Sequence, residues 1–257
     1  MKSWQQSNKD PLDLSGRKKR QAEIDLRKGK TNLERISYLK HLALGKKVLD
    51  VGCVQNDASC RKNPLWLHRH LAQVAAEIMG IDILEEDLAI LRKEGFRVCH
   101  HDLTQKPYPD TFEVIIAGEI LEHIDNPGAF FANCHRSLLP GGVVIVTTPF
   151  PWFLGTSLRN SLSGLPLGGS LEHVSWFDPF NVFELCERYG FELKKWHGLC
   201  PSPVQGGFFR FFFEGVARLI RKGLVPPLSS LTGCRSILYE CEKKGESKDL
   251  GKKIDLK

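Results

Sequence analysis

The 257-residue chain has no uninterrupted apolar stretch of the roughly 18 residues a membrane-spanning helix needs. Its start, MKSWQQSNKDPLDLSGRKKR, carries charges with no apolar stretch behind them, which argues against a secretory signal. None of its eight cysteines (Cys53, Cys60, Cys99, Cys134, Cys186, Cys200, Cys234, Cys241) forms a Cys-x-x-Cys pair. That scatter disfavours a zinc ribbon, a redox motif or a disulfide framework, and reads as reduced thiols in a cytoplasmic protein. No Gly-x-Gly-x-x-Gly leads into a helix, so a nicotinamide dinucleotide is not the expected ligand. There is no internal repeat.

What remains is the composition of a globular domain, with 42% hydrophobic and 26% charged residues. The formal charge of +6 is concentrated: residues 1–46 hold twelve Lys/Arg against five Asp/Glu, leaving 24 against 25 in the rest. Residues 1–30 are therefore expected to be a basic, partly disordered arm, with Arg17-Lys18-Lys19-Arg20 either a solvated tail or a contact for nucleic acid or anionic membrane. The neutral body and the want of an aromatic-rich RNA module argue against nucleic acid as the partner.

From residue 31 the pattern alternates. Thr31-Asn32-Leu33-Glu34 fits a capping box, and Leu33, Ile36, Leu39 and Leu42 predict a helix over 32–44. Strands are expected over 47–51, 79–83, 96–99, 112–117 and 143–148, with helices over 64–78, 84–93 and 127–139 between them. Asp178-Pro179 starts a helix to Arg188 that Gly190 closes, followed by strands over 191–196 and 235–241. Continuous apolar strands alternating with helices imply an α/β fold with a doubly wound, mostly parallel seven-stranded sheet. The domain is expected to span 31–242, with lid insertions at about 149–172 and 200–233 and a charged tail over 243–257. Within the second insertion, Phe208-Phe209-Arg210-Phe211-Phe212-Phe213 and the basic, apolar residues after it suit a cover over the substrate pocket. Peripheral membrane contact, or reception of a lipid-linked acceptor, is the other reading.

The strand ending in Asp50-x-Gly52 puts a carboxylate and a close-approach glycine at the carboxyl edge of the sheet, where open α/β folds bind ligands. Asp82 ends the next strand, placed to accept from two ribose hydroxyls. The run Val48-Leu49-Asp50-Val51-Gly52-Cys53 resembles motif I of the class I S-adenosylmethionine-dependent methyltransferases, although that family usually continues with two glycines where Val54 and Asn56 stand here. Asp102-Leu103 matches the family's adenine contact. The segment 112–123, ending Glu119-Ile120-Leu121-Glu122-His123, and Leu138-Leu139-Pro140-Gly141-Gly142 look like motif IV and the following turn of the ubiquinone-type and other small-molecule O-methyltransferases. The resemblance implies S-adenosylmethionine as cofactor, held by Asp50, Gly52, Asp82, Asp102, Leu103 and Glu119, and methylation of an oxygen on a small-molecule, sugar, glycolipid or quinone-like acceptor.

A helical 119–123 segment would project Glu119, Glu122 and His123 from one face, where the carboxylates repel unless a proton or cation lies between them. The pattern resembles the divalent-metal ligands of ubiquinone-biosynthesis O-methyltransferases and of small-RNA 2′-O-methyltransferases, with His173 as the further ligand and Mg as the type of ion. The same Glu-His pair also occurs in relatives where it only closes the cofactor pocket. His173 and His123 are the candidate bases for the acceptor hydroxyl, and a structural role holding the lid is the alternative for His173. RNA 2′-O-methylation and a non-catalytic binding protein of the same fold are the rival readings.

Overall fold

A computed structural model describes residues 14–163, 172–200 and 230–245, together with residues 215, 218, 219 and 222. Eight strands form one sheet: β1 (Leu33–Glu34), β2 (Lys47–Val51), β3 (Glu77–Asp82), β4 (Val98–His100), β5 (Phe112–Gly118), β6 (Leu138–Pro149), β7 (Phe191–Cys200) and β8 (Ser236–Lys243). Their order across the sheet is β1-β7-β8-β6-β5-β2-β3-β4, and every neighbouring pair is parallel except the two that involve β8. The expected doubly wound architecture is present, with one strand more than expected. That strand, β1, is two residues long and pairs only with the outer edge of β7.

Alternation along the central strands divides the core between the two faces. Leu49, Ile115, Ala117, Val144 and Val146 pack with Phe130 and Phe131 of α5 (Pro127–Arg136) and with Val182 and Phe183 of α7 (Pro179–Tyr189). Val48, Val114, Ile116 and Ile145 face the other way, onto Leu39 and Ala43 of α2 (Arg35–Ala43) and Leu67 and Leu71 of α3 (Leu67–Ala72). Because both faces are covered, β2 and β5 read as near-continuous apolar runs.

Several boundaries differ from those the sequence predicts, each for a tertiary reason. Helix α3 ends at Ala72 rather than near residue 78, because residues 77–81 are taken into register with Lys47–Val51 and pairing overrides local helix propensity. Helix α2 is capped by Glu34, whose carboxylate accepts from the Ile36 and Ser37 amides at 3.1 and 2.7 Å, and not by a Thr31 box. The Pro140-Gly141-Gly142 stretch is drawn into β6, and β7 runs on to Cys200 because β1 and β8 extend its pairing. Of the basic arm, residues 14–26 form α1 (Leu14–Leu26), which buries Ile24 and pairs Arg20 with Glu184; residues 1–13 lie outside the described residues. Helix α4 (Glu85–Lys93) falls where expected. In the first insertion the structure describes α6 (Leu154–Ser163), whereas residues 164–171, the aromatic stretch 208–213 and residues 246–257 lie outside the described residues. No helix among the described residues is long and apolar enough to cross a membrane, and Cys53, Cys60, Cys99, Cys134, Cys186, Cys234 and Cys241 are free thiols.

Helix α7 has the start and stop its sequence signals: the Asp178 carboxylate accepts from the Asn181 amide at 2.9 Å, Pro179 fills the first turn, and Gly190 closes it at φ 79°. Since the helix packs into the main core, losing its cap should be felt globally. Asp178→Ala is expected to lower unfolding free energy by about 1 kcal/mol in urea titration; an unchanged midpoint would show that the cap is dispensable.

Candidate active site

The ends of β2, β3, β4 and β5 lie side by side at the carboxyl edge of the sheet, bringing Asp50, Asp82, Asp102 and Glu119 to one side of the molecule. Asp82 closes the loop after β2. Its Oδ2 accepts from the Val54 amide at 2.9 Å, and its Oδ1 accepts from the amides of Ile83 and Leu84 at 2.8 and 3.3 Å. Burial outweighs these three bonds and raises the Asp82 pKa, with nearby Asp50 adding to the rise.

The loop itself accommodates the two side chains that depart from the family glycines. Val54 is fully buried in a cluster with Trp66, Leu88, Leu91 and Val98, while Asn56 is exposed. Gly52 sits at φ 76°, and a Cβ there would lie 2.1 Å from Ile120 Cδ1. Both the backbone angle and the close approach therefore call for glycine. Asp50 is buried and engaged from behind: its Oδ2 lies 2.9 Å from His68 Nδ1, and Trp66 Nε1 donates to the Cys53 carbonyl at 2.7 Å. Asp102 Oδ1 accepts from both the amide and the hydroxyl of Thr104 at 2.7 Å, a turn-capping arrangement, and Leu103 next to it is buried.

The segment after β5 is not a helix, so the expected common face of Glu119, Glu122 and His123 is corrected. Glu119 stands in the left-handed region at φ 61°, its amide donating to the Thr147 carbonyl at 2.9 Å, and Leu121–His123 is a single 3-10 turn. A left-handed glutamate costs on the order of 1–2 kcal/mol, a strain of the kind stored at functional sites. The turn sends Glu122 inward, only 1% exposed, and leaves His123 at the surface.

His173 arrives from fifty residues further on, because the amides of Val174 and Ser175 donate to the Glu122 carbonyl at 2.9 and 3.3 Å. The His123 and His173 rings stand edge to face with centroids 4.8 Å apart. Ligand atoms of Glu122, His123 and His173 all lie within 4.8 Å of one another; Glu119 does not share that cluster. Neither carboxylate oxygen of Glu122, nor Glu119 Oε1, nor His173 Nδ1 has a hydrogen-bond partner, although all are buried. Burial, with the Glu119 carboxylate second, pushes the Glu122 pKa to about 8. Burial and the neighbouring His123 lower the pKa of His173, against the opposing pull of Glu119 and Glu172. Buried acceptors left bare in this way are rare in folded proteins and suit a site built to receive something.

One residue of the site carried no sequence signal. Arg35, the first residue of α2, lays its guanidinium over the end of β5: a Cβ on Gly118 would meet Arg35 Nη2 at 2.5 Å. Its Nε is buried without a partner, and its charge lowers the pKa of Glu122, though less than burial raises it. In the sequence it is one more basic residue of the N-terminal stretch; only the packing of α2 beside β5 reveals it.

A family model described as a methyltransferase domain matches residues 17–195. The chain belongs to the class I S-adenosylmethionine-dependent methyltransferases. It is similar to the ubiquinone biosynthesis O-methyltransferase of Pseudomonas aeruginosa (strain LESB58), with 34% identity over 62% of this chain and 70% of the relative. To the enzyme of that name from Idiomarina loihiensis the identity is 25%, over 69% of this chain and 75% of the relative. Among solved structures, a SAM dependent methyltransferase from Archaeoglobus fulgidus superposes with a TM-score of 0.53 at 17% identity, covering 91% of this chain and 100% of the other. The methyltransferase is thus an enzyme that transfers a methyl group from S-adenosylmethionine.

The Glu122 pKa fixes the sign of a stability effect. A carboxyl whose pKa rises from 4.5 to about 8 on folding binds its proton more tightly in the folded state. The stability it contributes is complete below the ordinary glutamate range and is lost as pH rises through about 8. The thermal midpoint of the wild type should fall across that window, and Glu122→Gln should flatten the fall. Identical profiles for the two proteins would refute the assignment.

Proposed function

We propose that the methyltransferase methylates a hydroxyl oxygen on a small quinone-like aromatic acceptor, with His173 as the proton acceptor. The observation that carries this reading is the convergence of His173 and His123 on the buried Glu122 at the end of β5. The relatives named ubiquinone biosynthesis O-methyltransferases support the acceptor class. Methyl transfer from a sulfonium is an in-line displacement, so the protein's tasks are to align the two substrates and remove the hydroxyl proton. An imidazole held neutral by burial and by a second imidazole is suited to the latter.

The residues at the sheet edge fit the cofactor. Arg35 offers a half-buried cation, its Nε buried and unpartnered, with no ion-pair partner among the described residues, matched to the carboxylate of the methionine part. Gly52 supplies the close backbone approach, and Asp50, Asp82, Asp102, Leu103 and Glu119 surround it. Asp82 Oδ2 takes one amide only and keeps acceptor capacity for a ribose hydroxyl.

A divalent cation such as Mg fits the unpartnered oxygens of Glu122 and the rings of His123 and His173, with Glu119 as the neighbouring charge. Such an ion would lower the pKa of a bound hydroxyl and orient it. Glu122 and the two histidines would hold it, and His173 would then act chiefly as a ligand. The ion's presence is testable without turnover: Mg should raise the thermal midpoint of the wild type at about pH 8, where Glu122 ionises, and leave Glu122→Gln unmoved. No shift in the wild type would remove the metal from the proposal.

Methyl transfer from labelled cofactor to a panel of catechols, hydroquinones, sugars and RNA tests the acceptor. Transfer to the aromatic hydroxyls is expected; transfer confined to RNA or sugars would overturn the reading. His173→Asn should lower kcat by about 10²–10⁴-fold at an unaltered KM for the cofactor. Arg35→Ala should weaken cofactor binding about ten- to a hundredfold in calorimetry, and wild-type affinity would take Arg35 out of the cofactor site.

A further inference from the structure

We infer that the His197–Glu240 pair on β7 and β8, its imidazole buried and its carboxylate half-buried, positions Arg35 by fastening the chain both before and after it. The inference rests on the reading of Arg35 as a cofactor-binding residue.

Between α1 and α2 the chain runs as a strap along the outer edge of β7. Trp196 N donates to the Arg27 carbonyl at 3.1 Å, Gly29 N to the Trp196 carbonyl at 2.8 Å, and Gly198 N to the Lys30 carbonyl at 2.9 Å. The two residues of β1 then pair with Leu199 and Cys200, and α2 begins with Arg35 immediately after them. Edge hydrogen bonds alone specify register weakly, because a strap carrying Gly29, Lys30, Thr31 and Asn32 has little apolar pattern to fix it.

His197 supplies what the edge lacks. Its ring is only 5% exposed. The Lys30 amide donates to Nδ1 at 3.1 Å, which assigns the ring proton to Nε2, and Nε2 in turn donates to Glu240 Oε1 at 3.0 Å. Tyr38, three residues after Arg35 on α2, donates its hydroxyl to the same Glu240 oxygen at 2.8 Å and packs its ring 5.1 Å from that of His197. Lys30 and Tyr38 therefore bracket Arg35, and both are tied to one pair on adjacent strands β7 and β8. Gly29 lies directly against the imidazole, since a Cβ there would fall 2.2 Å from His197 Cε1 and 2.3 Å from Nδ1. The strap can seat only with glycine at this point.

A half-buried carboxylate with two side-chain donors is an expensive way to hold an edge segment if nothing depends on its position. Hydrogen bonds from His197 and Tyr38 hold Glu240 below the usual glutamate pKa even though burial, the largest effect, would raise it. Arg35, whose long side chain must reach Gly118 across the top of β5, is the residue between the two fastenings with a stake in that position.

The test is calorimetric binding of S-adenosylhomocysteine to wild type, Gly29→Ala, His197→Ala, Arg35→Ala and the Gly29→Ala/Arg35→Ala double variant, with amide hydrogen exchange over residues 27–34. Gly29→Ala and His197→Ala are expected to speed exchange in the strap and to weaken binding about tenfold, the size of one lost charge-assisted contact. In the double variant binding should be no weaker than in Arg35→Ala alone. Fast strap exchange with wild-type affinity, or additive losses in the double variant, would overturn the inference while leaving the cofactor reading of Arg35 in place. Wild-type affinity in Arg35→Ala would instead defeat that reading and this inference with it. Tyr38→Phe, which removes a single hydroxyl, carries the same comparison should Gly29→Ala fail to fold: weaker binding that vanishes on the Arg35→Ala background supports the inference, and unaltered binding opposes it.

Discussion

The carboxylate of Asp82 is the joint on which the carboxyl edge of this sheet depends. It gathers three backbone amides from two loops, one after β2 and one after its own strand. Amides that emerge from a strand end cannot pair within the sheet, and leaving them bare in a half-buried crevice would cost each its desolvation. Meeting all three with one side chain closes the turn at Gly52 tightly enough that Ile120 can lie over the glycine. The segment that carries Glu119 and Glu122 is in this way stacked on the loop after β2. The charge needed for this is itself expensive to bury, as its raised pKa records.

The parts of the fold that were legible in the sequence are those whose signals are local. Helix α7 declares its start with Asp178-Pro179 and its end with Gly190; β2 and β5 declare themselves as apolar runs because both of their faces are covered. The candidate site was legible to the extent that strand ends bring their last residues together, so Asp50, Asp82, Asp102 and Glu119 could be grouped from strand order alone. What escaped depends on contacts between distant segments. Nothing local tells a left-handed Glu119 from a helical one, since the conformation is imposed by the Thr147 carbonyl at the end of the neighbouring strand. Arg35 is silent for the same reason: its role exists only because α2 packs beside β5.

Val54 and Asn56 illustrate the limit of reading a glycine-rich loop by its glycines. The loop keeps the one glycine whose backbone angle and close neighbour demand it, and takes the two other side chains into places where they obstruct nothing at Gly52: Val54 in the cluster under α4, Asn56 in solvent. Trp66 and His68, which anchor Cys53 and Asp50 from below, add side-chain support beneath that loop.

The Glu122 carbonyl, which accepts from both Val174 and Ser175, has a meaning for timing as well as for shape. His173 and the turn at Glu122 lie fifty residues apart along the chain, and these two bonds tie their backbones together. Local opening of that tie would separate His173 from Glu122 and His123 in a single event, without unfolding the sheet. On the role proposed for His173, the capacity to take the acceptor's proton would then be gained or lost as a whole, by the making or breaking of two backbone bonds rather than by residue-by-residue adjustment.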